Sequence, residues 1–265
     1  MKISLIITTF NRPAALELVL FSVARQTMMP DDVIIADDGS TKETAEVIKK
    51  FTKLINVPII HSWQENKGFR LSRSRNLAVT KSKNEYLVFI DGDMILHKDF
   101  VKDHFKFAKK GFFLQGSRSF IAEDFTDKLI LNKHLKLPSI FSKNLKNKMN
   151  FFRAPLLTRI FYLFKNRQFR RIRTCNLSLF KQDLINVNGF NEEFKTWGQE
   201  DSELVARLYN TGIFRRNIKF SALQYHLYHK EGKVNKENIL ILKHTIDRQL
   251  TWCEKGIDKH LSGNV

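Results

Sequence analysis

Along the first hundred residues the spacing of apolar positions switches repeatedly between two periods. ISLIITTF, from Ile3, is a short apolar run rich in β-branched residues, and it predicts a strand. RPAALELVLFSVARQT follows, with Pro13 early and Leu16, Val19, Leu20 and Val23 at helical spacing. DDVIIADDGS reads as a second strand ending in a polar turn, KETAEVIKKFTK as a second helix and NVPIIHSW as a third strand. LSRSRNLAVTKS reads as another helix and EYLVFIDGD as a fourth strand. Strands alternating with helices of this length predict right-handed crossovers and an α/β fold with a mostly parallel central sheet flanked by helices. Past residue 100 come a helix and the strand GFFLQGS. LLTRIFYLFKNRQFRRIR is expected as an amphipathic helix and KENILILKHTIDRQLTWCEKG as a closing one.

In parallel sheets the carboxyl ends of the strands border the ligand crevice. Polar clusters fall at three such ends: Thr8 to Arg12, Asp37 to Ser40, and Asp91 to Asp93. Side chains alternate along a strand, so Asp91 and Asp93 are expected on one side, where two like charges need a cation or strong donors. Hard carboxylate oxygens suit Mg2+ or Mn2+, which in turn bind diphosphate oxygens; a polar turn around Gly92 is the plain alternative. Asp37-Asp38-Gly39-Ser40 reads as a turn, with Ser40 or Thr41 capping the next helix, and leaves a carboxylate for a base or ribose hydroxyl. Trp197-Gly198-Gln199-Glu200-Asp201 opens a helix whose dipole favours acids there. It also joins a sugar-stacking ring to a carboxylate able to act as general base. His226 and His229 meet on one metal only in turn-like geometry, and are otherwise surface histidines.

The 265 residues carry a formal net charge of +18, unevenly distributed. From Lys128 to Arg173 there are thirteen Lys or Arg and no acid, which leaves 32 basic against 27 acidic residues elsewhere. This segment is expected to be a basic, helical insert lying on an anionic membrane surface, with a solvated loop as the alternative. The high charge also raises a basic nucleic-acid-binding protein, but the chain has no recognisable nucleic-acid module, so no nucleic acid is expected. A Mg2+-dependent sugar nucleotidyltransferase is a third reading, weakened because TTFNRP stands where a glycine-rich loop would follow the first strand. Two cysteines without CxxC spacing fit a reducing compartment. The apolar start is expected to be a strand and not a secretory signal, since its run is only about eight residues, contains Thr8 and Thr9, and has no small-residue cleavage site after it. No stretch reaches the ~18 apolar residues of a membrane span.

SLIITTFNRP, VIIADDGS, NKGFRLSRSRN and EYLVFIDGDM stand in the order and spacing of the family 2 inverting glycosyltransferases. NVNGFNEEFKTWGQEDSEL resembles the carboxyl-terminal module of β-1,4-galactosyltransferases and bacterial chondroitin-type polymerases. The likeness covers about 1–100 and 172–232. It implies a GT-A (Rossmann-like) fold, read as a single domain: a nucleotide-binding half 1–100, an acceptor-binding and catalytic half 101–232 including the insert 128–173, and a carboxyl-terminal helix 233–265. It implies a metal-dependent transfer of a hexose or N-acetylhexosamine from a nucleotide-diphosphate sugar, expected to be UDP-linked. The acceptor would be a glycan or lipid-linked hydroxyl in bacterial surface polysaccharide or lipopolysaccharide synthesis, and the site cytoplasmic, peripheral on the inner membrane face.

Carried over by the resemblance, Asp201 is the catalytic base with Glu200 beside it. Thr8, Phe10, Arg12, Asp38, Arg70, Asp91 and Asp93 bind the nucleotide sugar. Trp197, Gly198 and Asn176 border the acceptor. Asp93, His229 and His226 hold Mn2+ or Mg2+; in the galactosyltransferases the position matching His226 is methionine.

Overall fold

The computed structural model describes residues 1–133, 135–230, 232 and 234–261. Its strands are β1 (Ile3–Thr9), β2 (Asp32–Asp37), β3 (Ile59–Trp63), β4 (Tyr86–Asp91), β5 (Met94–Leu96) and β6 (Phe112–Gln115). They continue with β7 (Ser119–Ile121), β8 (Leu145–Lys146), β9 (Lys165–Asn166), β10 (Leu177–Phe180), β11 (Phe214–Asn217) and β12 (Gln224–His226). An eight-stranded sheet runs β3-β2-β1-β4-β10-β6-β11-β9, and its first four strands are mutually parallel. β1 and β2 are buried at every position, as strands covered by helices on both faces must be.

Alternation sorts β1 between two cores. Ile3, Leu5 and Ile7 pack with Leu16, Val19, Phe51 and Phe100 from helices 13–23, 42–51 and 100–107. Ile6 faces the opposite side with Ala78, Val79, Leu204 and Leu208 from helices 71–81 and 200–210. Register then sets the crevice: Thr8 lies opposite Asp91 and Thr9 opposite Asp37, so three polar strand ends share one edge.

β10 enters antiparallel to β4 and β6, bringing residues 174–176 beside that edge. A second sheet, β5-β12-β7-β8, pairs β12 antiparallel to β5 with His226 opposite Met94. This pairing carries a histidine from the far end of the chain to the residue following Asp93.

The basic segment departs from the expected helix. A helix covers only Pro155–Leu163, and Lys165 and Asn166 instead pair with Arg216 and Arg215 of β11. The backbone then runs irregularly until the 3-10 turn Thr174–Asn176. The ladder to β11 captures residues that a longer helix would have needed. His134 of this segment lies outside the described residues. The closing helix is likewise shorter, Lys236–Asp247, with a separate turn of helix at Asp258–Leu261; residues 233 and 262–265 of the expected span lie outside the described residues. Thr41 does occupy the N-cap of helix 42–51, but its hydroxyl turns to the Glu43 carboxylate, while the Ser40 hydroxyl accepts the Asn11 N–H. Among the described residues no helix is long and apolar enough to cross a membrane.

Candidate active site

A cavity of about 570 Å3 opens at the carboxyl edge of the parallel strands. Thr8, Phe10, Arg12, Asp38, Asp91 and Asp93 line it from the first hundred residues. Trp197, Gly198, Glu200, Asp201, His226 and His229 line it from the second half.

Asp93 anchors one end. Its Oδ2 lies 2.6 Å from Arg12 Nη1, 3.3 Å from His229 Nε2 and 3.5 Å from His226 Nε2. Burial opposes the Asp93 charge, but the hydrogen bond to His226 and the charges of His226, Arg12 and His229 hold its carboxyl below the usual range. One ligand atom from each of Asp93, His226 and His229 falls within 4.8 Å of the others. Asp93 Oδ1 and His226 Nδ1 are buried, and neither has a hydrogen-bond partner among the described residues. Such orphaned polar atoms are costly unless something else satisfies them, and a carboxylate with two imidazoles is a donor set that fits a divalent cation.

Asp91 belongs elsewhere. β4 ends at Asp91, so strand alternation does not govern Asp93; both carboxylates line the cavity, but each has its own partners. Gly92 makes the bend: its N–H donates to Thr8 O at 2.7 Å, and a Cβ there would sit 2.8 Å from that oxygen. Asp91 Oδ1 instead accepts from the Thr8 hydroxyl at 2.9 Å and lies 3.4 Å from Arg75 Nη2.

Arg75 is 3% exposed and reaches Asp201 Oδ1 at 3.2 Å and Glu200 Oε1 at 3.8 Å. Asp201 also accepts the Thr174 N–H at 2.8 Å and the Thr174 hydroxyl. Gly198, at φ +101, donates its N–H to Glu200 Oε2 at 3.0 Å. One guanidinium thus faces three carboxylates. Burial raises the Asp201 carboxyl, and Arg75 only partly reverses it. Burial and the neighbouring Asp201 charge push Glu200 up to about 7.

Two expected residues are held by neighbouring groups. The Arg70 guanidinium turns to the Glu65 carbonyl, and only its N–H joins the site, donating to Asp38 Oδ2 at 2.9 Å. Asn176 is buried, its amide engaged by His104, Ser117 and Ala222, and it lines a second cavity beside this one. Arg75 carries no expectation from the sequence, although it sits in LSRSRN beside the buried Ser72, Ser74 and Asn76. A cation on the buried face of a helix was the available signal.

The glycosyl transferase family 2 profile matches residues 4–176, and a profile described as the N-terminal domain of galactosyltransferase matches residues 154–230. The match therefore runs through the basic segment that the sequence motifs left out. Chondroitin synthase of Escherichia coli is 29% identical over 251 residues, covering 88% of this chain and 36% of that protein. The poly(ribitol-phosphate) β-N-acetylglucosaminyltransferase TarP of Staphylococcus aureus is 36% identical over 113 residues, covering 41% of this chain and 33% of that protein. The chain thus spans only about a third of the length of these relatives. The S. aureus TarS 1–349 structure in complex with UDP-GlcNAc superposes at a TM-score of 0.64 with 20% identity, covering 94% of this chain and 66% of that one, so the folds are alike. With its profile matched over most of its length and a GT-A-like sheet, the chain belongs to glycosyl transferase family 2.

Proposed function

We propose that this chain transfers a hexose or N-acetylhexosamine, with inversion, from a UDP-sugar to a hydroxyl of a glycan or lipid-linked acceptor in bacterial surface polysaccharide synthesis. One observation carries the reading: a single cavity has the Asp93, His226 and His229 cluster and the Arg75-held Asp201 in its walls. The UDP-GlcNAc complex of TarS and the likeness to chondroitin synthase support the donor class.

Residues 1–100 form the donor side. Asp38 meets the nucleotide base, its carboxylate held by Gln64 and the Arg70 N–H. Thr8 acts through Asp91, which its hydroxyl orients toward the ribose. Asp93, His229 and His226 would hold the metal, with Mn2+ suiting the two imidazoles better than Mg2+. When bound, that ion supplies positive charge for the departing diphosphate. Arg12, now on Asp93, is a second cation within reach of the same phosphates.

Residues 101–232 supply the acceptor side. The acceptor oxygen attacks the anomeric carbon, the bond from that carbon to the diphosphate oxygen breaks, and its electron pair leaves with the diphosphate. Asp201 receives the acceptor proton, with Arg75 and Thr174 fixing its orientation. Glu200, its pKa near 7, binds the sugar hydroxyls beside it, and Trp197 and Gly198 border the acceptor.

Nucleoside diphosphate release from a panel of nucleotide sugars with Mn2+ tests the reading. Asp93→Ala and Asp201→Asn should each abolish transfer. A near-normal rate in Asp201→Asn removes the base assignment, and metal-dependent turnover in Asp93→Ala removes the metal site.

Peripheral association with the inner face of the membrane is the companion proposal. Leu156 and Leu163 of helix 155–163 are 76% and 71% exposed among neighbouring Lys and Arg. Flotation that does not differ between neutral and anionic liposomes would remove it.

A further inference from the structure

A second cavity, of about 680 Å3, adjoins the first. Arg118, Arg173 and Cys175 line both, so the two share a wall. The shared wall is also what positions the base, because Thr174, between Arg173 and Cys175, donates to Asp201. Asp201 therefore lies in the first cavity against the wall that the two cavities share.

The lining is of one sign. Lys148, Arg170, Arg171 and Lys219 join Arg118 and Arg173, and no Asp or Glu is among the described residues that line it. Arg215 also lines it, donating Nη1 to Arg170 O at 2.8 Å and Nε to Asn217 Oδ1 at 2.9 Å. Burial and the nearby Arg171 charge both work against the Arg215 cation, with Tyr209 opposing them. Like charges gathered around one concave space repel, and the walls concentrate their field on whatever enters. Asn147, Asn150 and Gln168 add neutral hydrogen-bonding groups suited to hydroxyls. An anionic sugar or polyol chain satisfies both features.

We propose that this cavity binds the acceptor, and that the acceptor is an anionic glycan or polyol chain bearing phosphate or carboxylate groups next to the hydroxyl that is modified. The proposal deepens the transferase reading and rests on Asp201 as the acceptor-side base. It also gives Lys148, Arg170, Arg171 and Arg173 a task distinct from bilayer contact, which would involve the apolar face of helix 155–163.

Three oligomers of equal length test it in direct binding to the UDP- and Mn2+-loaded protein: a phosphodiester-linked polyol, a uronic-acid-containing oligosaccharide and a neutral glucan. At low salt at least one anionic oligomer should bind about tenfold or more tighter than the glucan, and the gap should close at high salt. Whichever anion is preferred identifies phosphate or carboxylate as the recognised group. The double variant Arg170→Glu/Lys219→Glu should lose the preference, with UDP affinity as the control for an intact donor side. Equal binding of the neutral glucan, or a preference that survives the double variant, overturns the proposal. Failure to bind UDP would instead count against the transferase reading, and the oligomer comparison is then read on the protein without UDP.

Discussion

Arg75 Nη1 lies 3.2 Å from Asp201 Oδ1, joining helix 71–81 of the first half to the helix that begins at Glu200. Nη2 of the same guanidinium lies 3.4 Å from Asp91. The cation is buried against the Phe190 ring, so solvent screens these interactions little. Arg75→Met should lower stability by about 3–5 kcal/mol, because it leaves carboxylates buried without their partner. It should also abolish turnover. Chemical denaturation and a transfer assay check both; a stable, active Arg75→Met would show that the bridge has neither role.

Activity should fall as pH drops through about 7, where Glu200 takes up a proton. The Asp201 carboxyl is also raised, and a protonated pair cannot accept the acceptor proton. Both shifts are upward, so folding favours the protonated forms. Their contribution to stability is complete at low pH and is lost as pH rises through the folded-state values. Activity and this part of stability thus run in opposite directions. Glu200→Gln removes a neighbouring negative charge and should move the acid limb of the rate profile to lower pH. An unmoved limb would mean that another group controls it.

Metal should stabilise the fold through Asp93. A cation at about 100 times its Kd adds about 2.7 kcal/mol if it binds the native state alone. Melting with and without Mn2+ should show that increment in the unaltered chain, a smaller one in His226→Ala and His229→Ala, and none in Asp93→Ala. An undiminished shift in Asp93→Ala places the ion elsewhere.

Gly92→Ala puts a methyl group 2.8 Å from the Thr8 carbonyl oxygen. The backbone between Asp91 and Asp93 must move, at a cost of about 1–3 kcal/mol. Because that bend leads directly into Asp93, Mn2+ affinity and transfer should fall together. Unfolding curves and Mn2+ titration read the two effects separately.

Asn176→Ala should act on stability. It removes bonds to His104, Ser117 and Ala222 inside the protein, worth about 1–3 kcal/mol where a buried partner is left unmet. An unchanged melting temperature with a raised acceptor KM would instead make Asn176 a direct acceptor contact.

The strand and helix periods of the first hundred residues were legible because they are local. Each depends on neighbours two to four positions away, and each reappears as β1 to β4 with their helices. The acidic clusters were legible for the same reason, since strand ends and helix starts favour polar residues. The basic segment was not, because its helix yields to a ladder with β11 that no local period encodes.

By itself the sequence determined the alternating α/β framework and the chemical types at its edge: Asp38, Asp91, Asp93, Glu200, Asp201, His226 and His229. Tertiary structure alone decided their partnerships. It gave Asp93 to two histidines more than 130 residues downstream, and Asp91 to Arg75 and thence to Asp201. It also brought Lys148, Arg170, Arg171 and Arg173 together with Arg118, Arg215 and Lys219 around one cavity whose wall holds Asp201 through Thr174. Periodicity fixes which face of an element is buried, whereas sheet order and register fix which distant charges meet there.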